Sequence, residues 1–227
     1  MIEQLLPAGP LFRVHVRCSE RSDGNFHVDA PAAELSARRT TLAPGAWTWL
    51  RQVHGATVVA VEYPGDGAGR DGDGSVTDIP GAVLAAQTAD CAPVVLVGDG
   101  ILAVVHAGWR GIVEGVLPAA VQAVQDRSAG PVRALLGPVI RSASYAFGER
   151  DLAEVQAVAG PGVRGITRDG EPALDMAAAV KLVLADAGVV DLMDLGLDTA
   201  DTAFYSHRTR RDPERQVTVA WLERIDD

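Results

Sequence analysis

The sequence predicts an α+β fold in which residues 1–227 form a single domain. Segments with strand-like and helix-like patterns follow one another without the steady strand–helix–strand alternation of a doubly wound sheet. No internal repeat and no linker-like segment divides the chain. Its 227 residues, 48% of them hydrophobic, are enough to bury one core. These observations favour one α+β domain.

The predicted strands are short runs that are rich in β-branched residues or that alternate apolar with polar side chains. In residues 11–18, Arg13, His15 and Arg17 alternate with apolar residues. Cys18 therefore lies on the apolar face of this strand, where we expect it to be buried and inert. The other strands are predicted over residues 46–53, 56–62, 93–97, 101–105, 132–136, 191–195 and 217–222.

The predicted helices carry apolar residues at helical spacing. They cover residues 32–42, 112–127, 149–159 and 172–188. Pro118 falls inside the second of these segments and predicts a kink or a restart of the helix at that point. Gly188 is a suitable residue for ending the last helix.

Residues 88–111 predict a β-hairpin with a chemical site at its open end. The strands 93–97 and 101–105 are separated by the turn sequence Gly-Asp-Gly. Cys91 precedes the first strand and His106 follows the second. Antiparallel pairing brings the two outer ends together, so the thiol and the imidazole are expected to lie side by side.

A thiol beside an imidazole has two chemical interpretations. Cys91 can act as a nucleophile with His106 as its base. Alternatively, both residues can bind zinc, which in catalytic sites usually takes three protein ligands. His54 is the best third ligand, because it ends an apolar segment and is followed by Gly55, which lets the backbone turn close to a bound group. For the remaining histidines, His15 and His27 above all, a structural or surface role is favoured.

Composition excludes several other classes of function. A net charge of −10 argues against a nucleic-acid surface, although local arginines can still bind a small anion. Two cysteines cannot form a disulfide framework, so we expect a reduced, cytoplasmic protein. The first residues lack the pattern of a signal peptide, and no run of 18 apolar residues predicts a membrane span.

Five motifs occur in an order that is typical of one bacterial family. They are RQVHG at 51–55, DGSVTDIPG at 73–81, TADCAPV at 88–94, HAGWRG at 106–111 and GPVI at 137–140. On these motifs the chain resembles the laccase-domain family, densely over residues 50–140 and thinly beyond. Its members have been called multicopper polyphenol oxidases, peptidoglycan editing factors, and purine nucleoside phosphorylases with adenosine deaminase activity. The resemblance implies a layered α/β/β/α arrangement with mixed sheets.

The resemblance also implies a metal site formed by His54, Cys91 and His106, the same three residues that the hairpin argument selects. Two imidazoles and a thiolate suit zinc well and copper nearly as well. Zinc with an open position lowers the pKa of a bound water to about 7, which suits deamination of adenosine.

Phosphorolysis also requires a phosphate site and an acid or base, which other residues near the motifs could provide. Arg110 and the first backbone N–H groups of the following helix are the expected phosphate site. Asp90 is the nearest acid or base, or else a residue that orients a metal ligand. Gln52 could bind substrate by hydrogen bonding or simply cap the site.

Three more residues are weaker candidates for substrate binding. Trp109 could stack on a base or serve as a packing anchor. Arg39 aligns with the arginine of an Asn-Arg pair of the family, and His207 replaces a family tyrosine. The chain also departs from the family in loop 19–31 and at Asp198, where the family commonly has cysteine. Any chemistry that the family performs with that thiol is therefore absent here.

The leading hypothesis is a zinc-dependent purine nucleoside phosphorylase with an adenosine deaminase side activity. Its substrates would be adenosine, inosine or methylthioadenosine together with phosphate, bound by a monomer or homodimer without nucleic-acid or membrane partners. One alternative is a thiol hydrolase or amidase that uses Cys91 and His106 in peptidoglycan precursor editing. Another is a copper oxidoreductase, which is disfavoured because five histidines cannot supply the roughly ten that multicopper oxidation needs. A purely structural zinc normally has four protein ligands, and the sequence offers three.

Overall fold

The computed structural model describes residues 1–225. Strands are numbered along the chain as β1 to β13. They are Ile2–Pro7, Phe12–Cys18, Trp47–Trp49, Val58–Ala60, Gly74–Thr77, Val83–Thr88, Ala92–Gly98, Ile101–Ala107, Arg133–Leu136, Arg164–Ile166, Pro172–Leu174, Asp191–Asp194 and Gln216–Arg224. The helices α1 to α6 are Ala32–Leu42, Trp109–Glu114, Val116–Gln125, Glu149–Ala159, Met176–Asp186 and His207–Arg210.

Most strands belong to two mixed sheets. One has the order β1-β2-β13-β6-β3 and the other has the order β12-β9-β7-β8-β5-β4. Neighbours are antiparallel except for β3 with β6, β12 with β9, and β4 with β5, which are parallel. A small hairpin of β10 and β11 completes the strands.

The two sheets pack face to face, with helices on their outer faces. Apolar residues of β2, β6 and β13 meet those of β7 and β8 in the layer between the sheets. The outer face of the six-stranded sheet packs against helices α2 to α5. Helix α1 covers part of the five-stranded sheet through Leu35 and Leu42. This is the layered α/β/β/α architecture that the resemblance implied, and the α+β prediction is confirmed.

The β7–β8 hairpin is confirmed and lies at the centre of the fold. Its register pairs Pro93 with His106 and Gly98 with Ile101. Every residue of both strands is buried, because one face meets the second sheet and the other face meets helices. A strand that is buried on both faces reads as a continuous apolar run, which is the pattern of these segments.

Besides the small hairpin of β10 and β11, three strands were not predicted from the sequence. Strand β1 is an edge strand with half of its residues exposed. Strand β5 has four residues, one of them glycine. Strand β6 contains Ala85, Ala86 and Gln87, which have a low preference for strands, yet it lies fully buried between β13 and β3. In each case the partner strand, and not the local sequence, stabilises the extended conformation.

The helices over 32–42 and 149–159 are confirmed, whereas two other helix predictions were wrong in part. The predicted helix 112–127 is two helices, α2 and α3, which are separated by Gly115 in a left-handed conformation with φ 89°. Pro118 lies in the first turn of α3, where a missing N–H is tolerated, so the restart comes before it. Residues 172–174 are strand β11, and α5 begins only after Asp175, whose side chain accepts the backbone N–H of Ala178 at 2.9 Å.

None of the helices in residues 1–225 is long and apolar enough to cross a membrane.

Replacing Gly115 with alanine should lower the free energy of unfolding by about 1 kcal/mol, the cost of placing an L-residue in the left-handed region. A Cβ atom there would meet only Pro118 Cγ, at 3.7 Å, so the backbone conformation alone carries this cost. Urea denaturation measures the change. Gly130→Ala is the control, because Gly130 lacks a left-handed φ and its Cβ would make an ordinary 3.6 Å contact. Equal effects of the two substitutions would contradict this assignment.

Candidate metal centre

Three side chains converge at the open end of the β7–β8 hairpin. Cys91 precedes β7, His106 is the second-last residue of β8, and His54 comes from the loop between β3 and β4. Their ligand atoms all lie within 4.8 Å of one another. The Cys91 Sγ and His54 Nε2 atoms are 3.8 Å apart. The structure thus brings together the three residues that the sequence selected as metal ligands.

The spacing of these atoms suits a metal ion. Zinc lies about 2.3 Å from a thiolate sulfur and about 2.0 Å from an imidazole nitrogen, which places the two ligand atoms roughly 3.5 Å apart at a tetrahedral ion. The observed 3.8 Å separation of Cys91 Sγ and His54 Nε2 is close to this value. The donor set of one thiolate and two imidazoles suits zinc and copper alike.

The Asp73 carboxylate organises the centre. Its Oδ1 atom accepts a hydrogen bond from His106 Nδ1 at 2.9 Å, which leaves His106 Nε2 free to bind a metal. The same carboxylate accepts the backbone N–H groups of Val53, His54 and Gly55 at 2.8–3.2 Å. These bonds hold His54 at φ 60°, a left-handed conformation that is uncommon for residues other than glycine. Asp73 therefore fixes two of the three ligands.

The Asp73 carboxylate is ionised at neutral pH. Burial alone would raise its pKa, but hydrogen bonds from His106 and the backbone outweigh burial and lower the pKa. A carboxyl whose pKa is lower in the folded state stabilises the fold above its unfolded pKa. That stabilisation is lost as pH falls through the folded-state pKa, so acid is expected to loosen the His54 loop.

The surroundings of Cys91 and His106 shift the pKa values of both side chains toward their charged forms. Burial would raise the pKa of the Cys91 thiol, but the two histidines outweigh burial and lower it to about 6. Burial would lower the pKa of His106, but Cys91 and Asp73 raise it to about 9. The thiolate is the form of cysteine that binds metals and attacks electrophiles. The pair therefore suits either of the two interpretations of a thiol beside an imidazole.

Gly108 gives the three ligands room to approach. A Cβ atom at this position would lie 2.5 Å from His54 Cδ2 and 3.2 Å from Cys91 Sγ. Real Cβ atoms do not approach other atoms so closely, so a side chain here would push His54 away. The packing of His54 thus explains the first glycine of the HAGWRG motif.

A cavity of about 350 Å³ opens above the three ligands. Its wall contains polar and basic side chains from distant parts of the chain. Besides His54, Cys91 and His106, it is lined by His27, Val28, Leu50, Arg51, Gln52, Gln87, Thr88, Ala89, His207 and Arg215. Sequence reasoning selected Gln52 and His207 from this wall but missed Arg215 and assigned His27 a surface role. The altered loop 19–31 contributes His27 and Val28, so its departure from the family falls on the cavity itself.

Two of the proposed catalytic residues are engaged with the protein. Gln52 uses both ends of its amide on the backbone of Gln87, as a donor at 2.7 Å and as an acceptor at 2.8 Å. Asp90 is buried and accepts hydrogen bonds from Thr199 Oγ1 at 2.7 Å and from the backbone N–H of Arg208 at 2.6 Å. These contacts support positioning roles for both side chains.

Trp109 and Arg110 lie outside the lining of this cavity. Trp109 packs edge-on against Phe147 with ring centroids 5.5 Å apart, which is the packing role weighed from the sequence. Arg110 is exposed, and its guanidinium carbon lies 4.4 Å from the centroid of the Trp109 ring. Helix α2 has only six residues, so the long helix expected behind the phosphate site is absent from the described structure.

Arg39 lies in a separate cavity of about 320 Å³ beside Trp47 and Trp49. Its guanidinium carbon is 5.5 Å and 5.2 Å from the centroids of those two rings. The Nε and Nη2 atoms of Arg39 are buried and make no hydrogen bond, and burial lowers its pKa. The two cavities share Val28, but Arg39 does not line the cavity that contains His54, Cys91 and His106.

Asp73 was not selected as a site residue from the sequence. Asp73 opens the DGSVTDIPG motif, which was its only signal, because its contacts reach 18 to 33 residues along the chain. Asp198, at the family's cysteine position, accepts the backbone N–H groups of Arg141 and Ala200 at 3.3 Å and 2.9 Å. It thus holds a turn of the backbone.

Replacing Asp73 with asparagine should weaken metal binding about 10- to 100-fold, as losses of residues that orient metal ligands typically do. The amide cannot accept from every donor that the carboxylate serves, so His54 and His106 lose their fixed orientation. Competition with a chromogenic chelator measures the affinity. Asp78→Asn is the matched control, since Asp78 lies in the same motif and is exposed. Unchanged affinity in Asp73→Asn would refute the organising role.

The family profile described as multi-copper polyphenol oxidoreductase laccase matches residues 18–223. A Streptomyces coelicolor protein named purine nucleoside phosphorylase is 39% identical over 196 residues, covering 84% of this chain and 81% of that protein. Proteins of the same name from Mycobacterium tuberculosis and Deinococcus radiodurans are each 36% identical. These alignments cover 87% and 88% of this chain and 83% and 78% of the relatives.

Solved structures share the fold. The Bacillus licheniformis hypothetical protein YfiH superposes with a TM-score of 0.83 at 20% identity, covering 96% of this chain and 99% of that one. YlmD from Geobacillus stearothermophilus gives a TM-score of 0.80 at 25% identity, covering 95% and 93%. The profile match, the relatives and the fold agree with the motifs, and the chain belongs to the multi-copper polyphenol oxidoreductase laccase family.

Proposed function

We propose that this protein is a metal-dependent purine nucleoside phosphorylase. The observation that carries the proposal is the group of His54, Cys91 and His106 beneath a cavity of about 350 Å³. Cavities that bind small molecules such as nucleosides have volumes of about 300–1,000 Å³, and the volume of this cavity falls in that range. Relatives that are 36–39% identical over most of the chain are named purine nucleoside phosphorylases, which supports the same activity here.

His54, Cys91 and His106 would hold the metal, for which zinc is our proposal. When bound, zinc would supply Lewis-acid polarisation of a ligand in its open position. The protein's own contribution is to fix the ligands through Asp73 and Gly108 and to provide a walled cavity. An adenosine deaminase side activity, which needs an activated water, is proposed for the same position.

In phosphorolysis, an oxygen of phosphate bonds to C1′ of the ribose as the bond from C1′ to the purine nitrogen breaks. The bonding electrons leave with the purine, which must then take up a proton. The enzyme therefore needs a cationic site for phosphate next to the nucleoside and must exclude water, which would hydrolyse the sugar instead.

Arg110 remains our candidate for the phosphate contact. Its guanidinium is exposed and lies over the Trp109 ring, four residues along the chain from the ligand His106. Within the cavity, Arg215 is an alternative, since its guanidinium donates only to the backbone carbonyls of residues 212–214 among its hydrogen bonds.

The remaining candidates would contact the nucleoside. His207 is exposed and lines the cavity, so it is proposed to contact substrate directly. Arg39 has two nitrogens that lack hydrogen bonds, and it is proposed to bind substrate from the neighbouring cavity. We propose that the reaction takes place in the cytoplasm.

A second candidate function rests on the charged pair of Cys91 and His106. With its pKa lowered to about 6, the Cys91 thiolate could act as the nucleophile of a hydrolase or amidase. The third residue distinguishes the two functions, because His54 Nε2 stands 3.8 Å from the sulfur and completes a metal site. A metal-bound thiolate is a poor nucleophile, so a chelator should activate the hydrolase but abolish the phosphorylase.

Purified protein should convert adenosine and inosine to adenine and hypoxanthine with equal amounts of ribose 1-phosphate, in a reaction that requires phosphate. Mass spectrometry follows the products. Cys91→Ala or a zinc chelator should reduce turnover by at least about 1,000-fold, because the group that stabilises the transition state is lost. His15→Ala is the control, since His15 stacks on Trp221, outside the cavity lining, and should leave activity unchanged.

The same assay at varied phosphate examines the anion site. Arg110→Gln should raise the KM for phosphate and leave the KM for the nucleoside unchanged, and a larger effect of Arg215→Gln would place phosphate inside the cavity instead. No phosphate-dependent turnover by protein that carries one metal ion per chain would contradict the proposed function. Turnover of an amide substrate that increases with chelator would establish the hydrolase.

A further inference from the structure

We propose that Asp90 is a positioning residue that fixes one wall of the substrate cavity by holding residues 198–212. This segment, which we name the strap, carries His207. The proposal rests on the proposed function in so far as His207 contacts substrate there. It replaces the view of Asp90 as the acid or base of the reaction.

The Asp90 carboxylate joins two distant points of the strap. One oxygen accepts from Thr199 Oγ1 at 2.7 Å and the other accepts from the backbone N–H of Arg208 at 2.6 Å. Thr199 is fully buried and Asp90 is only 7% exposed. Hydrogen bonds to a buried carboxylate are stronger than those between neutral groups. One side chain beside a metal ligand thus holds both ends of the segment that carries His207.

The backbone of Asp90 is also constrained. Its φ of 106° lies in a region that residues other than glycine rarely adopt. Its carbonyl oxygen accepts the backbone N–H of Ile140 at 3.1 Å. A costly conformation persists only where surrounding contacts determine it, and here those contacts are the Ile140 bond and the two bonds to the strap. Cys91 follows directly, so the same contacts set the direction of the metal ligand.

The strap is hydrogen-bonded within itself and to the rest of the protein. Arg210 donates to the carbonyl oxygens of Thr199, Ala200 and Phe204 at 2.6–3.0 Å, which folds the strap back on itself. Arg208 donates to the carbonyl oxygen of Ala146 at 2.6 Å.

Asp90 accepts two further hydrogen bonds, one near the start of the strap at Thr199 and one after His207 at Arg208. The strap is also held at Ala203, whose carbonyl oxygen accepts the Arg21 N–H at 2.7 Å, and at Tyr205, whose N–H donates to Gln216 Oε1 at 2.7 Å. Loss of the Asp90 bonds would therefore loosen the parts of the strap next to the metal ligands, including His207, without releasing the whole segment.

This arrangement disfavours proton transfer by Asp90. Both carboxylate oxygens accept hydrogen bonds from donors within the protein, and Asp90 is not among the residues that line the cavity. General acids and bases must reach the proton that they transfer, directly or through one water. Asp90 instead acts on the reaction through the position of His207.

The test compares Thr199→Val, which removes one donor at nearly constant volume, with Thr199→Ser, which keeps the hydroxyl. Hydrogen–deuterium exchange of metal-loaded protein is measured by mass spectrometry. In Thr199→Val the amides of the strap should exchange roughly tenfold faster, while strand β8 keeps its protection and the metal content is unchanged. Thr199→Ser should exchange like the wild type.

Kinetics provide the second readout. Thr199→Val should raise the nucleoside KM roughly fivefold with little change in kcat, and this effect should vanish in a His207→Ala background. Unchanged strap exchange in Thr199→Val would overturn the proposal. So would a loss of kcat in Asp90→Asn that removes one limb of the pH–rate profile and persists without His207. If the wild type has no phosphorylase activity, the exchange experiment still decides whether Asp90 holds the strap.

Discussion

The proposed metal centre depends on a single buried carboxylate, that of Asp73. A buried charge is costly unless donors surround it, and Asp73 accepts from three successive backbone N–H groups and from His106. These hydrogen bonds affect both the carboxylate and the segments that donate to it. The donors keep the carboxylate ionised, and the carboxylate holds the His54 loop against strand β8. The backbone of Asp73 is joined to the same strand, since His106 N–H donates to its carbonyl oxygen at 2.7 Å.

The rest of the fold provides a rigid frame for this interaction. The β7–β8 hairpin is buried between a second sheet and a layer of helices, so its open end cannot shift without disturbing the core. Two ligands come from this hairpin or its flank, and the third comes from a loop that Asp73 fixes. Part of the cavity wall lies outside this frame, because loop 19–31 and the strap contribute His27 and His207. The three ligands and this part of the wall are therefore held by different elements of the fold.

The sequence was sufficient to predict what depends on local patterns. The hairpin, the pairing of Cys91 with His106, and helices α1 and α4 follow from periodicity and turn residues. Interactions between distant segments were not visible. Nothing in the Ala-rich sequence of β6 indicates a strand until β13 and β3 enclose it. The restart at Gly115 instead of Pro118 depends on a backbone angle, and the contacts of Asp90 join residues more than 100 positions apart.

We propose that His54, Cys91 and His106 bind one metal ion together. X-ray absorption spectroscopy at the zinc edge on protein purified without added metal tests this proposal most directly. We expect one zinc ion per chain, with one sulfur neighbour at about 2.3 Å and nitrogen or oxygen neighbours at about 2.0 Å. Cys91→Ala should remove the sulfur neighbour. Cys18→Ala should not, because Cys18 is buried in the core and accepts a hydrogen bond from Thr218. A metal shell without sulfur in the wild type would contradict the account.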